Sequence, residues 1–438
     1  MIILYGIAIL PVLFVYIYYL SRNVLLGWVS LLAVYLYDYS LGATAYSPAG
    51  INLTIVDIVE ISLLIAGIIR TIPRLRERDT GRTIAILYLG IFALSLGRGI
   101  IAHGFAHAAA GSRLFVGMLI GCTYFLTAPV DSKSVRKYLQ IYIYYGVALS
   151  FVAFLANAGL HVGMVAYLET KGEDLEAMRI VEQGSRLLAA TCALTLAFCF
   201  FLSLAYSRYR SSAALFKWLS ALFLGLAVFM RHRSVWAVLA AGILALLLVD
   251  RSLFRRLIPL AVLAICITAG YALLSRSAVQ SVETQFTESA TNENTWIWRL
   301  TNWQAQLSRS QTAFSALFGL DLGGGYEVFD LMSGRYIEVP PHDEYLLQYL
   351  SVGISGVVVV LCFTIRPLRR FWKLSSTDMK AVEPSASAWV AVIIGILAYN
   401  VPYAQAADTY ALLGIANAMV SKLDKDAIAA TAAPSMPR

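Results

Sequence analysis

The chain has 438 residues, of which 59% are hydrophobic (AVILMFWYC) and only 14% charged, with a mean hydropathy of +0.71. A soluble domain carries roughly 25% charged residues, so a single water-facing globule is excluded, as are a disordered chain, a collagen-like fibre and a disulfide-stapled secreted module. The net charge of +8 would suit nucleic acid in a soluble protein, but here Lys and Arg occupy short loops between apolar runs, where membrane topology accounts for them and no nucleic-acid partner is expected.

About 20 apolar residues cross a bilayer. Continuous apolar runs occur at about 2–20, 24–40, 51–69, 83–102, 114–130, 138–160, 187–206, 213–230, 234–249, 256–274, 345–365, 388–403 and 408–421. This predicts an all-α polytopic integral membrane protein of about 12–13 transmembrane helices with one large exterior loop. No Lys or Arg precedes the first run and no small-residue cleavage site follows it, so a retained span is expected rather than a removed signal peptide. The five cysteines, Cys122, Cys192, Cys199, Cys266 and Cys362, all lie in apolar runs and read as small buried hydrophobes.

The connections alternate in chemistry. Arginines crowd the loop from Arg70 to Arg82, and further clusters follow at Lys133 to Lys137, Arg208 to Lys217, Arg251 to Arg256 and Arg366 to Lys373. By the positive-inside rule these five loops are cytoplasmic and the others exterior. The acidic segment from His161 to Gln183 then lies outside, as does the largest loop, from Ser275 to Pro341. The expected organisation is a first membrane block over 1–274, a periplasmic loop over 275–341, a second membrane block over 342–425 and a disordered Ala- and Pro-rich tail over 426–438. No repeat of 20–50 residues is visible.

Three exterior features exceed what a passive bundle needs. The first is Arg231, His232, Arg233 and Ser234, cations on the side where the positive-inside rule disfavours them; snorkelling to lipid headgroups is the competing reading. Arg98, Arg113 and Arg186 also fall at exterior span ends. The second is T-W-I-W-R-L-T-N-W from Thr295 to Trp303, where a helix would set Arg299 beside Trp296 and Trp303. Aromatic faces stack on sugars and a guanidinium grips phosphate bidentately; an interfacial Trp belt would look similar. The third is G-L-D-L-G-G-G-Y from Gly319 to Tyr326, followed by P-P-H-D-E-Y from Pro340 to Tyr345. The prolines suit a helix start and the carboxylates of Asp343 and Glu344 suit its positive dipole end, with His342 at the mouth of the span. Asp321, Glu327, Asp330 and Glu338 could supply oxygen ligands, but their spacing matches no metal-loop motif, so no metal and no cofactor are expected.

At these residues the sequence resembles the O-antigen ligase and O-antigen polymerase superfamily of bacterial envelope glycan enzymes. That family carries a His followed usually by Asn, Ser or Gln, then nine residues, Gly, two residues and Gly; here His342 is followed by Asp343, nine residues to Val352, then Gly353, Ile354, Ser355 and Gly356. The spacing agrees and the second position departs. The run Arg231, Arg233, Ser234 and Trp236 resembles the family's Arg at an exterior span start, with Arg233 favoured because it leads directly into the span. Arg299, Trp303 and Gly323 to Gly325 resemble its loop Arg, Trp and glycine turn. The likeness covers most of the chain in architecture and about 231–356 in motif.

The resemblance implies an inverting glycosyltransferase of a bacterial inner (cytoplasmic) membrane, moving a glycan from an undecaprenyl-diphosphate donor to a sugar hydroxyl on the periplasmic face, without nucleotide sugar. Its partners would be that donor, a glycan or lipid acceptor, the bilayer and other envelope polysaccharide assembly proteins. In this reading His342, Arg299 and Arg233 are catalytic, Arg233, Arg299 and Arg231 hold the diphosphate, and Trp296, Trp303 and Tyr326 contact the glycan, while Asp343 and Glu344 orient the imidazole. Polymerase and ligase stay open, with polymer synthesis favoured because no dedicated acceptor domain is visible. From another class, a flippase of lipid-linked sugar would need ionisable groups within the membrane; Asp57 and Glu60 in the third run are the candidates, unless they pair with Arg98.

Overall fold

The computed structural model describes residues 2–42, 53–74, 77, 79–166, 187–208, 213–230, 232–250, 252, 255, 259, 293–309, 312–330, 335–338, 341, 343–376 and 386–432. Within them the chain is helical, as its apolar runs predict. The helices are α1 (Ile2–Arg22), α2 (Val24–Leu41), α3 (Ile55–Thr71), α4 (Thr80–His103), α5 (Phe105–Thr123), α6 (Ser132–Asn157), α7 (Ala190–Tyr206), α8 (Ala213–Phe229) and α9 (Arg233–Val249). After them come α10 (Glu293–Leu307), α11 (Ala313–Phe318), a hairpin of β1 (Glu327–Asp330) and β2 (Arg335–Glu338), then α12 (Glu344–Ser376), α13 (Ala386–Tyr399) and α14 (Ala407–Ala432). The run expected at 256–274 lies outside the described residues.

Among the described residues five helices are long and apolar enough to cross a membrane: α2, α4, α5 with the turn to Thr127, α6 and α12. Five shorter apolar helices accompany them. Local sequence sets several starts. Asn23 accepts from the amides of Leu25 and Leu26, Asp79 from Gly81 and Asp131 from Lys133 and Ser134, each satisfying donors that the first turn leaves open. Thr54 and Asp57 form a reciprocal capping box on α3.

Two boundaries depart from the apolar runs. Helix α5 begins at Phe105, nine residues before the expected span, and only Gly104 separates it from α4. The added stretch, F-A-H-A-A-A-G-S, is polar enough to break the hydropathy run but rich in Ala, the strongest helix former. For the same reason the tail expected to be disordered from Asp426 is helical to Ala432, and Pro434 follows beyond it.

The arginine-bearing loops gather at one end of the bundle. There Arg70 donates to the carbonyls of Ser21 (2.7 Å) and Thr127 (2.9 Å), joining the ends of α1, α3 and α5. Arg208 pairs with Asp250, which also accepts from Ser387 (3.2 Å), and Lys425 lies 2.8 Å from Glu77. The opposite end is joined by backbone bonds from Gly163 to Ser40 (2.9 Å), Met164 to Leu187 (3.0 Å) and Glu344 to Asn400 (2.9 Å). This arrangement follows the alternation of basic and other loops along the chain. Between the ends, α7 is buried from Cys192 to Tyr206 and α13 over nearly its whole length, so these two form the core. Helices α1 and α8 instead present Phe14 and Trp218 outward, 71% and 65% exposed, as lipid-facing helices do. Three cysteines are buried as expected, but Cys362 is exposed, because it lies on the outward face of α12.

Candidate functional site

The end opposite the basic loops holds most of the chemistry, and its centre is the mouth of α12. Asp343 is the N-cap, its Oδ1 accepting from the Leu346 amide at 2.8 Å. Burial pushes the Asp343 carboxyl up from the ordinary carboxylate range, against the lowering effect of the Leu346 and Tyr345 amides. A buried acid with a raised folded-state pKa loses stability as pH rises from its unfolded value of about 3.9 through its folded value, beyond which the penalty is constant. Asp343→Asn keeps the capping acceptor, so its melting temperature should exceed that of the parent at neutral pH, with the difference vanishing in acid; equal melting across the pH range would contradict this.

Glu344 is fully buried and accepts three hydrogen bonds: from Gln348 Nε2 at 2.8 Å, from the Gln405 amide at 3.0 Å and from the Tyr410 hydroxyl. Gln348 accepts in turn from Tyr88 at 2.9 Å. One carboxylate thereby ties α12 to α4, to α14 and to the turn between α13 and α14. Glu344→Ala orphans two buried donors and one half-buried donor, at about 1 kcal/mol or more for each buried one, so a loss of at least about 2 kcal/mol is expected, read as a lowered unfolding midpoint in detergent.

That same turn receives Arg299. The sequence over α10 is helical, and Arg299, Asn302, Trp303 and Gln306 share a face by their spacing of three and four. Asn302 and Gln306 are buried, Trp303 is half-buried, and the half-buried Arg299 places its guanidinium 5.3 Å from the Tyr403 ring centroid. Tyr403 stacks on Tyr399 at 5.3 Å. The structure thus brings Arg299 and Glu344 to one turn, residues 400–406, from segments far apart in the chain, with Asp343 one residue before Glu344.

Beside this mouth the glycine-rich turn seats on α4 and α5. Arg98 bridges it, with Nη2 2.6 Å from Asp321 Oδ1 and 2.9 Å from the Gly319 carbonyl. The approach is backbone to backbone: a Cβ on Gly111 would lie 2.8 Å from the Gly323 amide, and one on Gly323 (φ +94) would lie 2.7 Å from the His107 carbonyl carbon. Only glycine fits both the left-handed conformation and the contact. Tyr326 ends the turn with its hydroxyl 2.8 Å from Ser351 Oγ on α12. The cavity left between these parts has a volume of about 680 Å³ and is lined by His103, His107, Arg113, Arg309, Asp321 and Tyr326 among others.

These contacts correct two expectations. Arg113 is not at a span end, because α5 begins nine residues before the apolar segment, whereas Arg98 stays near the end of α4 as expected. Asp57 and Glu60 do not pair with Arg98: Asp57 caps α3 and lies 3.4 Å from Arg113 Nε, while Glu60 accepts from the Tyr35 hydroxyl at 2.7 Å. Sequence reasoning also missed His103, His107 and Arg309. The signal was the pair of histidines four apart around Gly104, visible only if α4 and α5 are known to meet there.

Other predicted residues are not joined to the mouth. Arg233 opens α9, exposed and without an ionic partner among the described residues, and His232 before it is buried with Nε2 3.0 Å from the Leu188 carbonyl. His342, Arg231 and Arg186 lie outside the described residues, as does the side chain of Trp296; Pro341 and Asp343, which flank His342, are both buried. Among the described residues no group of three or more His, Cys, Asp or Glu side chains could hold a metal ion. No protein-family model matches the chain, and no curated protein matches it.

Proposed function

We propose that this protein is a membrane-embedded glycosyltransferase that moves a glycan from an undecaprenyl-diphosphate donor to a sugar hydroxyl, at the end of the bundle opposite the basic loops. The observation that carries the reading is the convergence of Arg299 and Glu344 on the turn from Asn400 to Ala406, two residues from the position of His342 in the chain. The acceptor oxygen forms a bond to the anomeric carbon as the bond from that carbon to the diphosphate oxygen breaks. The electron pair leaves with the diphosphate, whose charge Arg299 meets, and the hydroxyl proton passes to His342. Direct displacement inverts the anomeric carbon. The cavity of about 680 Å³ ending at Tyr326 takes the glycan, and the second donor cation that the family resemblance assigns to Arg233 would have to reach the donor from the start of α9, where that side chain is exposed. The order of His342, Gly353 and Gly356 along the chain, shared with the O-antigen ligase and polymerase superfamily, supports the same chemistry in a bacterial inner membrane.

The test is incubation of purified protein with a short undecaprenyl-diphosphate oligosaccharide, followed by mass analysis of the lipids. A ladder of longer lipid-linked glycans is expected, and unchanged donor masses would reject the proposal. With excess EDTA the rate should not change, and a collapse that added Mg²⁺ restores would assign a metal role instead.

A second reading, export of the lipid-linked sugar, draws on Asp38, Glu60 and Asp408, carboxylates buried inside α2, α3 and α14. Glu60 is bonded to Tyr35, and Asp408 accepts from Thr195 (3.1 Å) and Tyr142 (3.3 Å). Such groups suit a proton-coupled path. Movement of chemically unchanged donor across sealed vesicles would favour it.

A further inference from the structure

We propose that the groove between α4, α12 and α14 at the basic end binds an anionic phospholipid of the surrounding bilayer. The groove has a volume of about 660 Å³ and its wall is one face of α12. Along that face Val358, Leu361, Ile365, Arg369 and Lys373 recur three or four residues apart, which sets them in one row. The row changes chemistry partway. At 1.5 Å per residue its apolar part spans about 10 Å and its cationic continuation about 12 Å more. Ile84 from α4 and Val420 from α14 close the apolar part, and Val358 and Ile365 remain 50% and 38% exposed.

The cations divide into two kinds. Arg366 is consumed by the fold: it pairs with Asp79 at 3.4 Å and Asp424 at 3.3 Å, and donates to Asn417 and Ser421. Arg370 takes the remaining oxygen of Asp424, with Nε at 3.5 Å. Among the described residues Asp424 is the only acidic side chain lining the groove, and two arginines already share it. Arg369 is exposed and has no acidic partner among the described residues, and Lys373 stands exposed one turn further on. The result is a trough shaped for an acyl chain that ends among four basic side chains, Arg366, Arg369, Arg370 and Lys373, against one lining carboxylate among the described residues, that of Asp424. A free anion has no use for the trough. A zwitterionic lipid brings a phosphate but also an ammonium, which cancels the attraction. An anionic glycerophospholipid satisfies both halves, as basic pockets between spans do on the cytoplasmic side of membranes. The groove lies at the far end of the bundle from the proposed transfer site, so this inference stands or falls independently of that reading.

Native mass spectrometry of the full-length protein in detergent, titrated with phosphatidylglycerol or phosphatidylcholine of identical acyl chains, tests it. Phosphatidylglycerol should bind the parent at least tenfold more tightly, and the preference should fade with added salt. Arg369→Ala with Lys373→Ala should weaken phosphatidylglycerol binding by roughly thirtyfold, about fivefold per cation, whereas Lys133→Ala with Lys137→Ala, which removes two exposed cations outside the groove, should leave it unchanged. Arg369→Gln with Lys373→Gln repeats the measurement should the alanine pair unfold. Equal affinity for the two lipids, retention in the Arg369 and Lys373 variants, loss in the Lys133 and Lys137 control, or displacement by inorganic phosphate would each overturn the proposal.

Discussion

On the proposed transfer reaction, Arg299→Ala should lower glycan transfer by at least about a hundredfold while the protein still inserts, purifies as a single species and melts near the parent temperature. The two halves of this expectation rest on different magnitudes. An exposed or half-buried cation–π contact is worth roughly 0.5–2 kcal/mol, so losing the stack on Tyr403 leaves the fold intact. Removing a charge-stabilising donor from a developing anion costs roughly 10²–10³ in rate, and no other described cation is seen against that turn. Arg299→Lys keeps the charge but loses the planar fork that meets two phosphate oxygens, so it should recover only part of the rate. His342→Ala should cost a similar factor, since a positioned general base contributes roughly 10²–10⁴. The assay is lipid-linked product formation in reconstituted vesicles at matched protein, and full turnover in either alanine variant removes that residue from the mechanism.

Gly353→Ala should be among the most damaging single methyls at the described glycines. Gly353 interrupts α12 with φ 73 and ψ −176, a region that costs a residue with a side chain roughly 1–3 kcal/mol. A Cβ there would also press into the backbone of Leu317 and Phe318 at the end of α11. That contact is what holds the turn: Ser355 Oγ donates to the Leu317 carbonyl at 2.7 Å and the Leu320 amide donates to Leu350. Pushing α11 away would loosen the seat of Asp321 and Tyr326, so transfer should fall with stability, by about 3 kcal/mol when strain and displaced packing are combined. Gly90→Ala is the control, because Gly90 lies inside α4 and a methyl there meets nothing within 4 Å; no loss of stability is expected, since Ala is the better helix former. Thermal unfolding of the two variants in the same detergent decides, and equal melting points would show that the bend in α12 is not needed. The two glycines of the motif differ in kind: Gly353 shapes the backbone with its positive φ, and Gly356, in the resumed helix, makes room for Val352.

The spans were legible because membrane insertion depends on local apolar length and on charge at span ends, both of which a sequence displays. The caps at Asn23, Asp79 and Asp131 were equally local. Errors arose where helix propensity and hydropathy disagree, as in the Ala-rich start of α5 and the Ala-rich end of α14. The aromatic and cationic face of α10 followed from helical spacing, but its docking partner, Tyr403, lies about a hundred residues further along and carries no local sign of the contact.

The sequence by itself determined that this is an all-α membrane protein, which end of its spans collects the basic loops, and that Arg299, Asp343 and Glu344 are polar residues without a topological role. Only the tertiary structure decided what they do to one another. Arg98 turned to Asp321 rather than to Asp57 or Glu60, Glu344 became the knot between α4, α12 and α14, and His103, His107 and Arg309 met around a cavity. The physical reason is that insertion is governed by transfer free energy summed along a segment, whereas ion pairs and cavities depend on distances between segments. Those distances are set here by close backbone approaches at Gly111, Gly323 and Gly353, where the absence of a single Cβ lets a distant turn reach the helices.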